Sequence, residues 1–167
     1  MSMYKEFEEK YPLLFCNKDE REPINLFGIE CRSGWKNLLN NAFHLMYRSY
    51  KHELSLYQYW TEKKTQEPTT SENVEENQRI YFNRLKSAAN LQEAKSQLPT
   101  VAQIKEKFGT LRMYCDNVND YARGVIDMTE ALSEETCEVC GGKGKPTGGR
   151  WIQTLCEECN QPQQPNQ

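Results

Sequence analysis

Residues 136–159 read TCEVCGGKGKPTGGRWIQTLCEEC and contain two Cys-x2-Cys pairs separated by fifteen residues. This spacing is typical of a zinc site, because each Cys-x2-Cys turn directs two thiolates at one tetrahedral ion. The segment holds few large apolar side chains, so a bound metal must supply much of its stability. The sequence therefore predicts one Zn²⁺ per chain, bound by Cys137, Cys140, Cys156 and Cys159.

The predicted zinc has a structural rather than a catalytic role. Four thiolates complete a tetrahedral shell, whereas a catalytic zinc keeps one position for water or substrate. The two histidines, His44 and His52, fall on the polar face of a predicted helix, where we expect them to face solvent. The sequence shows neither a nucleophile with its base nor a cofactor fingerprint, so we predict that the protein is not an enzyme.

The loop GGKGKPTGGR (141–150) joins the two cysteine pairs and is rich in glycine and cations. It does not match the phosphate-binding pattern G-x4-G-K-[ST], so a flexible connector is the simplest interpretation. The alternative is a small cationic tip, formed by Lys143, Lys145 and Arg150, that contacts nucleic acid or an acidic protein face. The acidic residues of the preceding segment argue against nucleic acid because they repel phosphates.

Upstream of the cysteines, the sequence predicts a β-hairpin followed by a helix. VAQIKEKFGTLRMYC (101–115) alternates apolar and polar residues on both sides of Gly109, which supplies the turn. Residues 118–132 then repeat apolar side chains at helical spacing. We expect the hairpin to pack on this helix, with four side chains buried: Phe108, Leu111, Val125 and Leu132.

The N-terminal part is predicted to be helical. A short helix ends at Pro12, and a long one begins at Ser33 and carries apolar side chains over about half of its circumference. Its C-terminal aromatic residues belong to the core or, alternatively, form a patch for a partner, with Tyr57 and Trp60 as anchors. A further helix is expected at 77–95 and carries apolar side chains at helical spacing: Tyr81, Phe82, Leu85, Ala88 and Ala89.

These elements predict an α+β fold, mainly helical, with one β-hairpin and a C-terminal zinc ribbon or knuckle that has four cysteine ligands. A length of 167 residues suits one compact domain. We divide it into a helical part, a flexible linker rich in polar residues, a helix–hairpin–helix part, a zinc module and a disordered tail. Their ranges are 1–60, 61–79, 80–136, 137–160 and 161–167.

Composition limits the classes of partner and compartment. A net charge of −3 and a pI of about 5.6 exclude binding to nucleic acid by bulk positive charge, although local contact remains open. The first residues are too charged for a signal peptide, and no apolar run is long enough to span a membrane, so we expect a cytoplasmic protein. Seven cysteines is an odd number, which favours reduced thiols, and we expect Cys16, Cys31 and Cys115 to be packing residues.

Four segments resemble a family of small proteins encoded by tailed bacteriophages: GIECRSGW (28–35), IKEKFGTLRMY (104–114), TCEVCG (136–141) and WIQTLCEEC (151–159). In those relatives the last metal ligand is often histidine, a position that Cys159 fills here. The resemblance implies a viral accessory protein that acts inside a bacterial cell, and it supplies no catalytic residues.

Together the residues and the resemblance predict a non-catalytic protein that binds and modulates a host or phage macromolecule. We expect that partner to be a protein, and the protein to serve host takeover or counter-defence. The alternative is a zinc-containing nucleic-acid-binding module that acts in transcription or replication. Salt dependence separates the two, because phosphate contacts weaken steeply as salt rises.

Overall fold

The computed structural model describes residues 2–17, 19–65, 69–149 and 151–161, which form a mixed α/β chain with two small sheets. The helices are α1 (Met3–Lys10), α2 (Pro23–Phe27), α3 (Lys36–Glu62), α4 (Ser71–Ser96) and α5 (Asp120–Ser133). The strands are β1 (Ile29–Glu30), β2 (Thr100–Lys107), β3 (Thr110–Asp116), β4 (Lys145–Thr147) and β5 (Gln153–Leu155).

The chain divides into two compact units, where the sequence predicts one compact domain. We call Met1–Met46 with Pro99–Gln167 the sheet unit, and Tyr47–Leu98 the helical unit. The division arises because α3 and α4 are both long, so the residues between Tyr47 and Leu98 make most of their contacts with one another.

The sheet unit contains the predicted hairpin, extended by a strand that the sequence does not predict. β2 and β3 pair antiparallel, and β1 adds a parallel edge in which Ile29 lies opposite Ile104. β4 and β5 form a second antiparallel pair within the cysteine-rich segment. The prediction of one hairpin therefore undercounts the strands, because β1 and β4 are too short to show a repeating pattern.

Phe108 lies in the hairpin turn and not in a strand. Phe108 and Gly109 both have positive φ, 56° and 78°, as a two-residue type I′ turn requires. The Phe108 side chain is 70 % exposed, so the prediction that it is buried is wrong. The prediction for Leu111 is confirmed, since its side chain is fully buried.

Aromatic rings form much of the core of the sheet unit. The ring of Phe43 on α3 lies 5.0 Å from that of Phe7 on α1, 5.2 Å from Phe15 and 5.8 Å from Tyr11. α1 ends before Pro12, as predicted, and this places Tyr11 against α3. Aliphatic and indole side chains complete this core: Leu14, Ile24, Trp35, Leu39, Val101, Ile104 and Leu111.

α5 packs on β3, which confirms the predicted contact between hairpin and helix. Two of its polar side chains bind β3: Glu130 Oε1 accepts from the N–H of Met113 at 2.8 Å, and Ser133 Oγ accepts from the N–H of Leu111 at 2.9 Å. Val125 is only half-buried and Leu132 is 47 % exposed, so the burial predicted for these two is wrong. The reason is that the helix turns Ala122 and Ile126 to the core instead.

The helical unit contains the C-terminal part of α3 and all of α4. The predicted linker at 61–79 is largely wrong, because α3 continues to Glu62 and α4 already begins at Ser71. Thr70 caps α4 by accepting from the N–H of Asn73, and Glu76 pairs with Arg79 one turn later. These local contacts stabilise a helix that needs few apolar residues. Residues 66–68 lie outside the described ranges.

The N-terminus of α3 and the predicted tail also differ in detail. Ser33–Trp35 forms a single 3-10 turn, and α3 itself starts at Lys36 rather than at Ser33. Of the tail predicted to be disordered, only Gln161 is described, and residues 162–167 lie outside the described ranges.

Candidate metal centre

The four predicted cysteine ligands come together at one point. Their Sγ atoms all lie within 4.8 Å of one another, and those of Cys140 and Cys156 are 3.7 Å apart. A tetrahedral metal with sulfur ligands at about 2.3 Å places the sulfurs about 3.8 Å apart. A disulfide would require about 2.05 Å. The cluster of Cys137, Cys140, Cys156 and Cys159 could therefore hold a metal ion, with a donor set consistent with zinc.

Backbone amides prepare the cluster to carry negative charge. The N–H of Gly142 points at Cys140 Sγ at 3.5 Å, and the N–H of Cys159 points at Cys156 Sγ at 3.4 Å. Burial raises the pKa of Cys137, but backbone N–H groups nearby outweigh this effect and lower the pKa to about 6. The hydrogen bond with Cys156 raises the pKa of Cys159 to about 12. Binding of a cation therefore releases protons from the remaining thiols.

Backbone hydrogen bonds join the two cysteine pairs. The N–H of Glu138, which lies between the first two cysteines, donates to the carbonyl oxygen of Thr154 in β5 at 2.9 Å. Gly141 has a φ of 77°, in the left-handed region, and its N–H donates to the carbonyl oxygen of Cys137 at 2.9 Å. β5 ends at Leu155, directly before Cys156, so this backbone network fixes the distance between the two cysteine pairs.

The first cysteine pair also contacts the loop before α3. The N–H of Gly34 donates to the carbonyl oxygen of Glu138 at 2.9 Å, and the indole N–H of Trp35 donates to the carbonyl oxygen of Thr136 at 2.7 Å. A Cβ atom on Gly34 would lie 2.3 Å from the carbonyl oxygen of Cys137. This contact therefore requires glycine at position 34.

The second cysteine pair contacts the turn of the β2–β3 hairpin. Thr154 is fully buried, and its hydroxyl donates to the carbonyl oxygen of Gly109 at 2.7 Å. The buried carboxylate of Glu138 accepts from the side-chain amide of Gln153 at 2.6 Å and lies 3.4 Å from the guanidinium of Arg32. Burial raises the pKa of this carboxyl group. The cluster thus lies where the N-terminal loop, the hairpin turn and the β4–β5 pair meet.

The predicted cationic tip is only partly supported by the charges around it. Lys143 and Lys145 are both exposed, and Lys145 Nζ lies 4.0 Å from the carboxylate of Glu157. The adjoining cavity, of about 500 Å³, is lined by these lysines and by two carboxylates, Glu157 and Glu158. Its charge is therefore mixed. The third predicted cation, Arg150, lies outside the described residues.

Tyr57 and Trp60, the predicted partner anchors, are half-buried members of the helical unit. Trp60 stacks edge to face on Tyr59 with ring centroids 5.0 Å apart, and its carbonyl oxygen accepts from the side chain of Arg84 at 2.9 Å. Partial burial favours a packing role, which is one of the two alternatives that the sequence leaves open.

Two aromatic side chains that are more exposed than Tyr57 and Trp60, Tyr81 and Phe82, lie on the face of α4 that the sequence predicts to be apolar. Exposed apolar residues follow that face: Tyr81, Phe82, Leu85, Ala88 and Ala89. We call this set the α4 stripe. α4 buries a different face, centred on Ile80 and Ser87. Ile80, Ser87, Leu91 and Ala94 follow helical spacing too, and that weaker repeat is the signal that sequence reasoning missed.

The remaining cysteines differ from one another. Cys31 and Cys115 are largely shielded, and burial raises the pKa of each thiol to about 12. Cys16 is exposed, so its predicted packing role is wrong. His44 and His52 face solvent, as predicted.

The four segments that carry the resemblance contact one another around the cysteine cluster, through Gly34, Gly109, Thr136 and Thr154. Neither protein-family models nor curated proteins nor solved structures gave a match to this chain. Within the described ranges, no helix combines the length and the apolar character needed to cross a membrane.

Proposed function

We propose that this protein is a non-catalytic binding protein, in which a structural zinc holds the sheet unit together and the α4 stripe binds a partner protein. The observation that carries the proposal is the exposure of large apolar side chains on one face of α4, where Phe82 is 70 % exposed. Contiguous exposed apolar surface of this kind marks interaction sites. By the resemblance to phage proteins, the partner is a host or phage protein and the role is takeover or counter-defence.

Zinc is the metal that best suits the cysteine cluster. Thiolates are soft ligands that favour zinc and iron–sulfur sites, and two Cys-x2-Cys turns with sulfurs at tetrahedral spacing are typical of structural zinc. A four-thiolate shell leaves no position for a substrate or a water nucleophile. The zinc would therefore have a structural effect: it would hold together the segments that contain Gly34, Gly109 and Thr154.

The α4 stripe has the composition of an interface centre. Tyrosine and phenylalanine are enriched at the centres of protein interfaces, and a few such residues supply most of the binding energy. Tyr81 and Phe82 stack edge to face with ring centroids 6.3 Å apart, and Leu85 lies one turn further along α4. The stripe would thus offer two aromatic anchors beside an aliphatic one.

The test compares capture of one identified partner by wild-type protein and by two variants. A bacterial protein that copurifies with the zinc-loaded chain is first identified, and its affinity is then measured with purified components. Phe82→Ala should weaken binding by about tenfold or more, while Lys95→Ala, at an exposed position near the end of the same helix, should not. Zinc content and the unfolding transition should stay unchanged in both. Equal affinity for wild type and Phe82→Ala would exclude the α4 stripe as the interface.

The nucleic-acid alternative depends on the cationic loop. Exposure of Lys143 favours it, whereas the carboxylate of Glu157, 4.0 Å from Lys145 Nζ, reduces the positive potential of the loop. Binding of single- or double-stranded oligonucleotides that falls steeply with salt, and that is lost in Lys143→Ala, would favour this alternative over protein binding.

A further inference from the structure

A second apolar surface lies in the sheet unit, in a groove of about 450 Å³ between α3 and α5. The two helices are joined across it by the hydroxyl of Tyr121, which donates to the carbonyl oxygen of Leu45 at 3.4 Å. Apolar side chains form most of its walls: Leu38, Ala42 and Leu45 from α3, and Tyr121, Val125, Met128 and Leu132 from α5. This groove shares no residue with the α4 stripe.

The groove is open to solvent although its walls are apolar. Met128 is 62 % exposed and Leu132 is 47 % exposed. α5 needs neither residue for its own packing, because Ala122 and Ile126 already face the core. A Cβ atom on Gly124 would meet nothing within 4 Å, so the middle of the groove has room for a side chain from outside.

The groove has the length of a helix-binding site. Tyr121, Val125, Met128 and Leu132 follow one another at i, i+4, i+7 and i+11, which spans about 16 Å or three helical turns. Amphipathic helices bind grooves of this kind by inserting apolar side chains at matching spacing. Volumes of several hundred Å³ accept a few such side chains.

The charges on α5 indicate which kind of helix would bind. The helix and the first residues after it carry exposed carboxylates at Asp120, Asp127, Glu134 and Glu135, against a single cation at Arg123. Carboxylates at the C-terminal end of a helix oppose the helix dipole, so they cost stability where they stand. α3 contributes one polar residue to the groove lining, Asn41, which carries no charge.

We infer that the groove binds an amphipathic helix of a partner protein, with apolar residues on one face and lysine or arginine along the edge of that face that meets α5. The apolar face would cover Met128 and Leu132, and the flanking cations would pair with the carboxylates of α5. A second copy of this chain is a poorer occupant. It carries a net charge of −3, so the carboxylates of α5 would repel it.

The test uses the full zinc-loaded chain and three synthetic 14-residue peptides. The first is an amphipathic helix with a leucine face flanked by lysines, the second replaces the lysines with glutamates, and the third scrambles the first. Fluorescence anisotropy should show that the lysine peptide binds and that the other two bind at least about tenfold more weakly. Its affinity should also fall as salt rises. Equal binding of the first and scrambled peptides would overturn the inference, because it would show attraction by net charge alone.

Variants locate the binding on the groove. Leu132→Ser should weaken binding of the lysine peptide by about tenfold, and Asp127→Asn should weaken it by a smaller factor. Phe82→Ala should leave it unchanged, which separates this site from the α4 stripe. Unchanged affinity in Leu132→Ser, with intact zinc content and unfolding, would overturn the inference. So would a dimer in sedimentation that Leu132→Ser dissociates, since that result assigns the groove to a second copy.

Discussion

The backbone N–H of Gly34 donates a 2.9 Å hydrogen bond to the carbonyl oxygen of Glu138. This bond joins the loop before α3 to the turn between the first two cysteines, and it needs close backbone approach. A Cβ atom at position 34 would lie 2.3 Å from the carbonyl oxygen of Cys137 and 2.6 Å from that of Glu138. Both obstacles are backbone atoms, so neither can move aside by changing a rotamer.

Gly34→Ala should therefore destabilise the protein by about 1–3 kcal/mol, the usual cost of forcing extra volume into a packed site. Gly148→Ala is the matched control, because a Cβ atom there meets nothing within 4 Å. Denaturant unfolding measures both, and zinc content shows whether the cysteine turn has moved. Equal stability of the two variants would show that the fold does not need the close approach of the loop to the cysteine turn.

Metal removal should open the junction around the cysteines. Purified protein should contain one zinc per chain. Cys137→Ser should lose the zinc, and residues 136–159 should then lose their ordered structure, because a structural zinc site supplies about 10–16 kcal/mol of apparent binding energy. Cys16→Ser should keep both, since Cys16 is exposed and is not a member of the cluster. Amide exchange of Thr154 and Gly34 would report the change. A metal-free protein with full protection at these residues would contradict the prediction.

Substitutions at Phe108 should change the stability of the fold only slightly, and the residue introduced should decide whether stability rises or falls. Phe108→Ala removes a mostly exposed ring that contacts Lys107, so it should cost less than about 1 kcal/mol. Phe108→Asn should stabilise by up to about 1 kcal/mol, because asparagine accepts the positive φ of the first turn position and Asn-Gly is the preferred pair in type I′ turns. Thermal unfolding measures both. A large loss of stability in Phe108→Ala would place the ring in the core.

Glu130→Ala should destabilise by about 1–3 kcal/mol, because it leaves the N–H of Met113 without its acceptor and removes the ion pair with Arg112. Glu130→Gln keeps an acceptor oxygen and should recover most of the loss. Denaturant midpoints of the two variants separate the hydrogen bond from the charge. Equal destabilisation by alanine and glutamine would show that the ion pair matters more.

Thiol labelling should show one fast cysteine per zinc-loaded chain at about pH 8. The thiolate is the reactive form, and Cys31 and Cys115, with pKa values raised to about 12 by burial, remain protonated until the pH approaches that range. Cys16 is exposed and should react first. A chelator should add the four thiols of the cluster. Rapid labelling of Cys16→Ser before chelation would contradict the assignment.

The cysteine cluster, the hairpin and α5 can be predicted from the sequence because each has a strong local signal. The Cys-x2-Cys spacing brings the four sulfurs together, and alternation on both sides of Gly109 marks the two strands. The same alternation wrongly predicts that Phe108 is buried. Phe108 follows the apolar pattern of β2 but is the first residue of the turn, and the pattern does not reveal its positive φ.

The helical unit is harder to predict because burial there does not follow hydrophobicity. α4 buries Ser87 and leaves Phe82 in solvent, so the more apolar face is the wrong one. The long polar stretch before Arg79 is typical of a linker, yet it forms a helix there, supported by the cap at Thr70, the Glu76–Arg79 ion pair and the packing of the buried face further along α4. For the same reason the sequence leaves two roles for Tyr57 and Trp60, and their partial burial in the structure favours packing.

The hydrogen bond between Trp35 and Thr136 also sets an order of events during synthesis. The indole N–H emerges from the ribosome about a hundred residues before its acceptor, and translation at about 5–20 residues per second makes that interval about 5–20 s. During that time the loop before α3 has no cysteine turn to bind. The β2–β3 hairpin does not yet cover the apolar faces of α1 and α3. The nascent N-terminal segment should therefore stay sensitive to proteases until residues 136–159 have been synthesised.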